Sequence, residues 1–339
     1  MTSSPAEQES TGTRRGKTVA LKDGSVHLLV GSASFRVEKG VLSSAGARLP
    51  AQTSVRVPFG RALPLEAEEP SEIVLFDGSE TRLRDVGRRT VPEAWTAAAD
   101  ALVKDAPRLL LCLGFSYTGK NFFCTHLANR FRAAGKRVCV IDADPDQTEI
   151  GPPGCVGLLD MNDPVLFFSQ ALPTALQYVG SHSVIARPAV VLAAAQRLVN
   201  KALHERRAEV VLVNVPGWTA EDSGRCFHAL LSTLLSPDRT IVLQRKDESE
   251  HLVRGVPVSR TVRLRASEFA ARSSADERKR YREERTTAYY QNRRLLVLPF
   301  HHVSSAGASF LSGYPQKIVN EKILYVERMP SELEGVLVA

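Results

Sequence analysis

The sequence lacks several features that define common protein classes. None of its five cysteines forms a C-x-x-C pair, and no histidine cluster lies near them to complete a zinc site. Aromatic residues make up only 6% of the chain, and no apolar run approaches the length of a membrane span. We therefore expect buried, reduced thiols in an intracellular protein with no membrane segment.

Length and charge set the next limits. A chain of 339 residues is long for one domain and predicts two. The net charge of +7 is compatible with a nucleic-acid partner. Residues 1–17 are polar and contain two glutamates, which is typical neither of a signal peptide nor of a mitochondrial presequence. We predict a disordered tail there.

The pattern of apolar runs and turn residues divides the remaining chain into three parts. Residues 18–90 contain short apolar runs broken by Asp-Gly and Gly-Ser turns, a pattern that predicts an N-terminal β domain, either a sandwich or a barrel. Over residues 91–307, continuous apolar runs alternate with helical stretches, which predicts an α/β domain with a parallel sheet and helices on both faces. Residues 308–339 predict a short C-terminal α/β region.

The stretch "GFSYTGKN", residues 114–121, has the Gly-x-x-x-x-Gly-Lys spacing of a phosphate-binding loop. A buried strand is predicted before it and an amphipathic helix after it. In such a loop the backbone N–H groups wrap the phosphates, and the lysine neutralises their oxygens. A tight glycine turn is the alternative. The predicted ligands of a nucleotide are Gly114, Thr118, Gly119, Lys120 and Asn121.

Two features bear on a magnesium ion. Asn121 stands where a phosphate loop usually has Ser or Thr, and it offers a carbonyl oxygen on a longer arm. Asp142 and Asp144 follow the next buried strand, one residue apart, so they point the same way on an extended chain. Two carboxylates at that edge can hold Mg²⁺ and accept a proton from a nucleophile. A solvated acidic loop is the alternative.

Two further features suggest a nucleic-acid substrate. Trp218 ends the strand-like stretch "VNVPGW", where its ring is equally consistent with stacking on a base and with packing in the core. The segment 260–294 holds eleven Lys/Arg against five Asp/Glu. Within it, Arg278 and Arg282 are four residues apart and share a helix face. Such arginines can form a lid over phosphates or grip a nucleic-acid backbone, while a solvated helix is the alternative.

These four elements, in this order, resemble the RNA 5′-hydroxyl polynucleotide kinases. That family includes the kinase of the pre-mRNA cleavage and tRNA-splicing machinery, its nucleolar pre-rRNA-processing relatives and their archaeal counterparts. The resemblance extends from about Leu109 to Tyr290. Its most specific part is "DADPDQTEIGPPGCVGL", which is similar to the family's D-x-D-x-G-Q motif and the Pro-Gly stretch after it. The resemblance implies a P-loop NTPase-type fold.

The resemblance also implies a role for each element of the nucleotide site. Lys120 would hold the phosphates of ATP, and Asp142 would help to place Mg²⁺ together with Asn121. Asp144 would be the general base on the 5′-hydroxyl of RNA. These assignments describe an ATP-dependent phosphotransferase.

On the RNA side, the resemblance implies that Gln147 and Trp218 bind the substrate and that Trp218 stacks on the terminal base. Arg278 and Arg282 match the family's R-x-x-x-R lid. It further implies an RNA 5′-hydroxyl end as partner, other subunits of an RNA-processing complex, no membrane, and a nuclear or nucleolar location.

The chain departs from the family's pattern at three positions, where it has Asn121, Asp146 and Val215 in place of Ser/Thr, Gly and Thr. The first two motivate an alternative, in which the same fold serves as a catalytically weakened or inactive nucleotide-binding scaffold of an RNA-processing or ribosome-assembly complex. A third hypothesis is a GTPase, since "QRKD" at 244–247 faintly resembles the N-K-x-D guanine-reading motif.

Overall fold

The computed structural model describes residues 16–78, 80–219, 221–270, 272–291, 317–319 and 322–324. Most of the predicted tail 1–17, residues 292–307 and most of the predicted C-terminal region 308–339 lie outside the described residues. The chain divides into two compact units, 1–287 and 288–339. No described helix is long and apolar enough to cross a membrane.

The N-terminal part is an antiparallel β-sandwich of two sheets. Apolar side chains alternate along its strands, and those facing inward form one buried core. The sheet orders are β1-β8-β3-β6 and β5-β4-β7-β2-β9. The strands are β1 (Lys17–Leu21), β2 (Val26–Val30), β3 (Ala33–Lys39), β4 (Val41–Ser44), β5 (Ala47–Pro50), β6 (Ser54–Val57), β7 (Ala62–Ala67), β8 (Ser71–Asp77) and β9 (Arg82–Asp85).

The second part is built around a seven-stranded sheet of order β13-β12-β11-β14-β10-β15-β16. Strands β11, β14, β10, β15 and β16 run parallel, whereas β12 and β13 pair antiparallel at one edge. The predicted parallel sheet is therefore mixed. The strands are β10 (Leu109–Gly114), β11 (Val138–Asp142), β12 (Cys155–Met161), β13 (Ala175–Tyr178), β14 (Val210–Asn214), β15 (Arg239–Gln244) and β16 (Thr261–Arg265).

Helices cover both faces of this sheet, which confirms the predicted α/β fold class. Helices α1 and α2 bury their apolar side chains on one face, and α3 and α4 bury theirs on the other. In the second unit, two short strands, β17 (Lys317–Val319) and β18 (Lys322–Leu324), pair antiparallel. The helices are α1 (Glu93–Asp105), α2 (Lys120–Ala133), α3 (Pro188–Asn200), α4 (Asp222–Leu235) and α5 (Ala275–Tyr290).

The topology brings the predicted site residues to one edge of the sheet. The phosphate loop follows β10, the acidic loop follows β11, and "VPGW" follows β14. Carboxyl ends of parallel strands meet at the same edge, which is where such sheets bind ligands. The sandwich also packs along α2, where the Asn129 amide donates to the carbonyl oxygen of Ala45 at 2.8 Å.

Candidate functional site

Strand β10 leads directly into the phosphate loop, and the backbone explains the glycine at each end of it. Gly114 has a φ of 150°, and a Cβ there would collide with the carbonyl oxygen of Leu243 on β15. Gly119 has a φ of 91°, and its Cβ would lie 2.8 Å from the ring of Trp95 on α1. Residues with a Cβ rarely adopt such positive φ values. The loop therefore closes tightly against β15 and α1.

Lys120 and Thr118 both turn back onto this loop. Nζ of Lys120 donates hydrogen bonds to the carbonyl oxygens of Gly114 (2.9 Å) and Phe115 (3.0 Å), and the Thr118 hydroxyl donates to Phe115 at 2.9 Å. Both side chains are buried, and burial lowers the pKa of the Lys120 ammonium. The hydrogen bonds of this buried cation go to uncharged carbonyl oxygens, so an incoming phosphate would add a charged hydrogen-bond partner.

Asn121, the second residue of α2, is held between two buried side chains. Its Nδ2 donates to Oε1 of Glu149 at 3.1 Å, and its Oδ1 accepts from Nδ2 of Asn214 at 3.1 Å. Nδ2 of Asn214 also donates to Oδ1 of Asp142 at 3.1 Å. The amide that replaces the usual hydroxyl therefore links the phosphate loop to β11 and β14.

The predicted acid pair lies together at the end of β11. The Asp142 carboxylate accepts the backbone N–H groups of Glu149 (2.7 Å) and Asp144 (3.3 Å). The Asp144 carboxylate accepts those of Asp146 (3.0 Å) and Gln147 (3.3 Å). Burial and the neighbouring Asp144 raise the pKa of Asp142 to about 7. Burial and the charge of Asp146 raise the pKa of Asp144. Both carboxyls can therefore take up a proton or a cation more readily than exposed ones.

The oxygen atoms near Asp142 suit a hard cation. Oδ1 of Asn214 is buried and has no hydrogen-bond partner within the described part of the chain. Mg²⁺ prefers oxygen ligands and is usually held by one or two carboxylates, waters and substrate phosphates. The described residues contain no group of three His, Cys, Asp or Glu side chains that could hold a metal ion. The donor set therefore fits a phosphate-dependent Mg²⁺ site rather than a closed protein cage.

Glu149 connects the site to the β-sandwich. Its side chain is 3% exposed, and Oε1 lies 2.9 Å from Nη2 of Arg61, an ion contact without the alignment of a hydrogen bond. Its Oε2 accepts the backbone N–H of Phe168 at 3.2 Å. The Arg61 guanidinium in turn lies over the ring of Tyr281 on α5, 4.4 Å from its centroid. One buried carboxylate thus joins the phosphate loop, the sandwich and the predicted lid helix.

Helix α5 brings both predicted lid arginines to the site. Arg278 donates to the hydroxyl of Tyr117, which belongs to the phosphate loop. Nη1 of Arg282 lies 2.7 Å from Oδ1 of Asp146 in the acidic loop. The two arginines therefore share a face that is turned toward the nucleotide site.

The predicted substrate residues have different surroundings. Gln147 and Gly217 line a cavity that opens beside the phosphate loop. The neighbouring Trp218 is half-buried, and its ring packs against Phe227 with centroids 6.0 Å apart. The Trp218 ring therefore contacts the core on one side.

The residues behind the GTPase hypothesis contact their own neighbours. The Gln244 amide donates to Oε1 of Glu250 at 2.6 Å. Asp247 lies 3.4 Å from Nη2 of Arg265. Both side chains are held in local contacts beyond the end of β15.

A cavity of about 440 Å³ opens beside the phosphate loop, between the sandwich and the sheet. Its walls include Lys120 and Asp144 from the sheet edge, Arg61 and Phe59 from the sandwich, and Glu277 from α5. Lys120 and Asp144 therefore face the same space.

Sequence reasoning did not select Glu149, Asn214 or Arg61. A signal existed for two of them, because Glu149 lies within the acidic motif and Asn214 begins "NVPGW" at the end of a buried strand. Arg61 lies in an ordinary turn between two strands, and nothing local marks it.

Comparison with known proteins identifies the family. Residues 114–292 match the model described as "mRNA cleavage and polyadenylation factor CLP1 P-loop", which is more than half of the chain. The chain is 27% identical over 207 residues to a polyribonucleotide 5′-hydroxyl-kinase of Pyrococcus furiosus, covering 61% of this chain and 57% of that protein. It is 29% identical over 153 residues to the polynucleotide 5′-hydroxyl-kinase NOL9 of Homo sapiens, covering 44% and 21%.

Solved structures agree at the level of fold. The Clp1p chain of a Clp1p–Pcf11p complex aligns with a TM-score of 0.63 at 13% identity, covering 82% of this chain and 73% of that one. The chain spans 57% and 62% of the length of two archaeal relatives from Pyrococcus furiosus and Pyrococcus horikoshii. The predicted family is confirmed. On the strength of the family match over 114–292, the chain belongs to the CLP1 P-loop family.

Proposed function

We propose that this protein is an ATP-dependent polynucleotide 5′-hydroxyl kinase that phosphorylates RNA 5′ ends. The observation that carries the proposal is that Lys120 and Asp144 face one cavity beside the phosphate loop. A cation for the phosphates and a half-buried carboxylate near the nucleophile are groups that phosphoryl transfer to a hydroxyl uses. The names of the archaeal relatives support this assignment.

On the nucleotide side, the backbone N–H groups between Gly114 and Gly119 wrap the phosphates of ATP, together with Thr118, and Lys120 neutralises their charge. Asp142 and Asn121 would hold Mg²⁺, with the oxygen of Asn214 nearby. When bound, Mg²⁺ would neutralise negative charge that develops on the phosphates. The chain's own residues supply the cradle and the orientation.

On the RNA side, Asp144 accepts the proton of the 5′-hydroxyl as that oxygen attacks the γ-phosphate in line, the bond between the γ-phosphorus and the β–γ bridging oxygen breaks, and ADP leaves. Gln147 orients the incoming end, and the side of Trp218 not covered by core residues stacks on the terminal base. Arg278 and Arg282 stabilise the charge of the transferred group from α5.

We also propose that the protein works in the nucleus or nucleolus as a subunit of an RNA-processing complex. The RNA that this complex processes would include rRNA. The description of the matched family as an mRNA cleavage and polyadenylation factor supports this, as does a fold neighbour solved as a complex. Purification of the tagged chain from its own cells, with RNase-treated and untreated halves, tests for stable protein subunits.

The decisive experiment measures transfer of labelled γ-phosphate to a 5′-hydroxyl RNA oligonucleotide. The natural chain should transfer label at a rate typical of kinases, and Lys120→Ala should not. Transfer no greater than that of Lys120→Ala would refute the kinase. Parallel titrations with ATP and GTP exclude the GTPase if ATP binds more tightly.

One observation favours the scaffold as a second candidate. Oδ1 of Asn121 already accepts a hydrogen bond from Asn214, which leaves one of its two lone pairs for a cation. A scaffold would bind ATP yet transfer no label, and the double variant Asn121→Ser/Asp146→Gly would then gain activity. Efficient turnover by the natural chain refutes it.

A further inference from the structure

The contact between the acidic loop and α5 is not used by the proposed catalytic roles. Asp146 stands where the D-x-D-x-G-Q motif has glycine, and its Oδ1 lies 2.7 Å from Nη1 of Arg282. The side chains are 31% and 24% exposed, so water still reaches the pair. The backbone N–H of Asp146 also donates to Asp144. One residue thus contacts the proposed base through its backbone and a lid arginine through its carboxylate.

Four side chains, spaced i, i+3, i+4 and i+7, dock one face of α5 on the site. Tyr281 donates its hydroxyl to the carbonyl oxygen of Thr148 at 3.3 Å, and Arg285 donates to that of Glu149 at 3.0 Å. These acceptors are uncharged, whereas the acceptor of Arg282 is a carboxylate. Arg282 is therefore the place on this face where an anion completes the contact. The four are Arg278, Tyr281, Arg282 and Arg285.

A carboxylate and a phosphate offer a guanidinium the same kind of paired anionic oxygens. We propose that Asp146 is a positioning residue, which holds Arg282 at the acidic loop before nucleotide binds and releases it to the incoming phosphate. This inference rests on the proposed function, because the phosphates of ATP are what replace the carboxylate. The exchange is feasible because the pair is hydrated and weakly held compared with a buried one.

Loss of the Asp146 carboxylate should therefore affect α5 differently in the nucleotide-free and the nucleotide-bound protein. Without the Asp146 carboxylate, the docked face of α5 loses its charged contact only while no phosphate is present. ATP then supplies the missing anion. A structural residue would matter equally in the free and the nucleotide-bound protein.

Hydrogen–deuterium exchange of the full chain, with and without saturating ATP and Mg²⁺, tests this. Without nucleotide, the amides of residues 275–287 should exchange about fivefold faster in Asp146→Asn than in the natural chain. With ATP the difference should fall to about twofold or less. The amides of α2 should be unchanged throughout, which shows that the variant is folded.

Two variants sharpen the readout. Glu283→Gln removes a carboxylate that lies 4.0 Å from Lys279 on the exposed side of α5, and it should change exchange little in either state. Adding Arg282→Ala to Asp146→Asn should sharply reduce the protection by ATP, since the Arg282 guanidinium no longer binds phosphate.

Equal exchange of Asp146→Asn and the natural chain without nucleotide would overturn the inference. Fast exchange that ATP leaves unchanged would also overturn it. An inactive natural chain with the expected exchange pattern would instead refute the kinase assignment and support the exchange of anions at Arg282.

Discussion

The phosphate loop and the acidic loop each carry one side chain that departs from the family's pattern, in opposite surroundings. Asn121 lies between Asn214 and Glu149, which are 2% and 3% exposed. Asp146 faces Arg282 across a half-exposed ion pair. A buried hydrogen-bond network changes only as a unit, because each unpaired member loses its hydration without compensation. A hydrated ion pair can exchange one anion for another with little loss.

The structural effect of a substitution within a motif therefore depends on the residues that it contacts. The buried substitution fixes the geometry of the phosphate loop relative to β11 and β14. The half-exposed substitution leaves α5 responsive to a ligand. Variants on the two sides should therefore differ in both the size and the ligand dependence of their effects.

The largest effect is expected from Glu149→Ala, which removes a carboxylate from the buried hydrogen-bond network around Asn121. It leaves the Arg61 guanidinium without a carboxylate and the Asn121 amide without its acceptor. Loss of one partner of a buried ion pair costs about 3–5 kcal/mol of unfolding free energy, measurable by urea denaturation. Glu72→Ala, from the exposed pair with Lys39, is the matched control and should cost less than about 1 kcal/mol. Equal losses would contradict the comparison.

Lys120→Ala should have the next largest effect, on transfer rather than on folding. Removal of a charge that stabilises the transition state lowers the rate about 10²–10³-fold. Initial rates of γ-phosphate transfer at saturating RNA measure it. Lys136→Ala, an exchange of the same type at the other edge of the sheet, should leave the rate unchanged. A comparable fall in both variants would point to general destabilisation.

Asn121→Ser tests whether the buried amide limits the cation. The hydroxyl no longer accepts from Asn214, and it offers an oxygen to Mg²⁺ on a shorter arm. Changes next to a metal typically alter affinity by about tenfold or more, so we expect ATP to bind about tenfold tighter in the presence of Mg²⁺. Calorimetric titrations with Mg²⁺ and with EDTA measure this. A gain that persists in EDTA would assign the effect to the loop alone.

The smallest effect is expected from Arg280 of α5, which contacts the sandwich rather than the edge of the sheet. The Arg280 guanidinium lies 3.7 Å from the centroid of the Phe59 ring of the sandwich, and its side chain is 44% exposed. An exposed cation–π contact contributes about 0.5–1 kcal/mol, so Arg280→Ala should lower the melting temperature only slightly. Lys279→Ala provides the comparison on the same helix. A fall in melting temperature as large as that of Glu149→Ala would contradict the expected difference between the buried network and the exposed contacts.

The sequence was sufficient where the information is local. The Gly-x-x-x-x-Gly-Lys spacing, the buried strand before it and the Asp142–Asp144 pair are each encoded within a few residues. Their convergence follows from the parallel order of β10, β11 and β14. The face shared by Arg278 and Arg282 follows from helical periodicity.

The sequence was insufficient where contacts cross the chain. Arg61 meets Glu149 only because the sandwich packs beside the sheet, and no local pattern encodes that arrangement. The apolar runs predicted a parallel sheet and did not identify strand β12, which pairs antiparallel with β11, because a short apolar run does not reveal the direction of a strand. The packing of Trp218 on Phe227 likewise depends on where α4 lies.

Arg61 belongs to the sandwich by its position in the chain, yet its guanidinium contacts Glu149 and lies over the ring of Tyr281 of α5. Phe59 and Arg61 also form one wall of the cavity. A fragment that begins at α1 would contain every element of the family's P-loop motif but would lack the Arg61 guanidinium that lies against Glu149. The sandwich therefore contributes a charged partner that the P-loop domain does not carry itself.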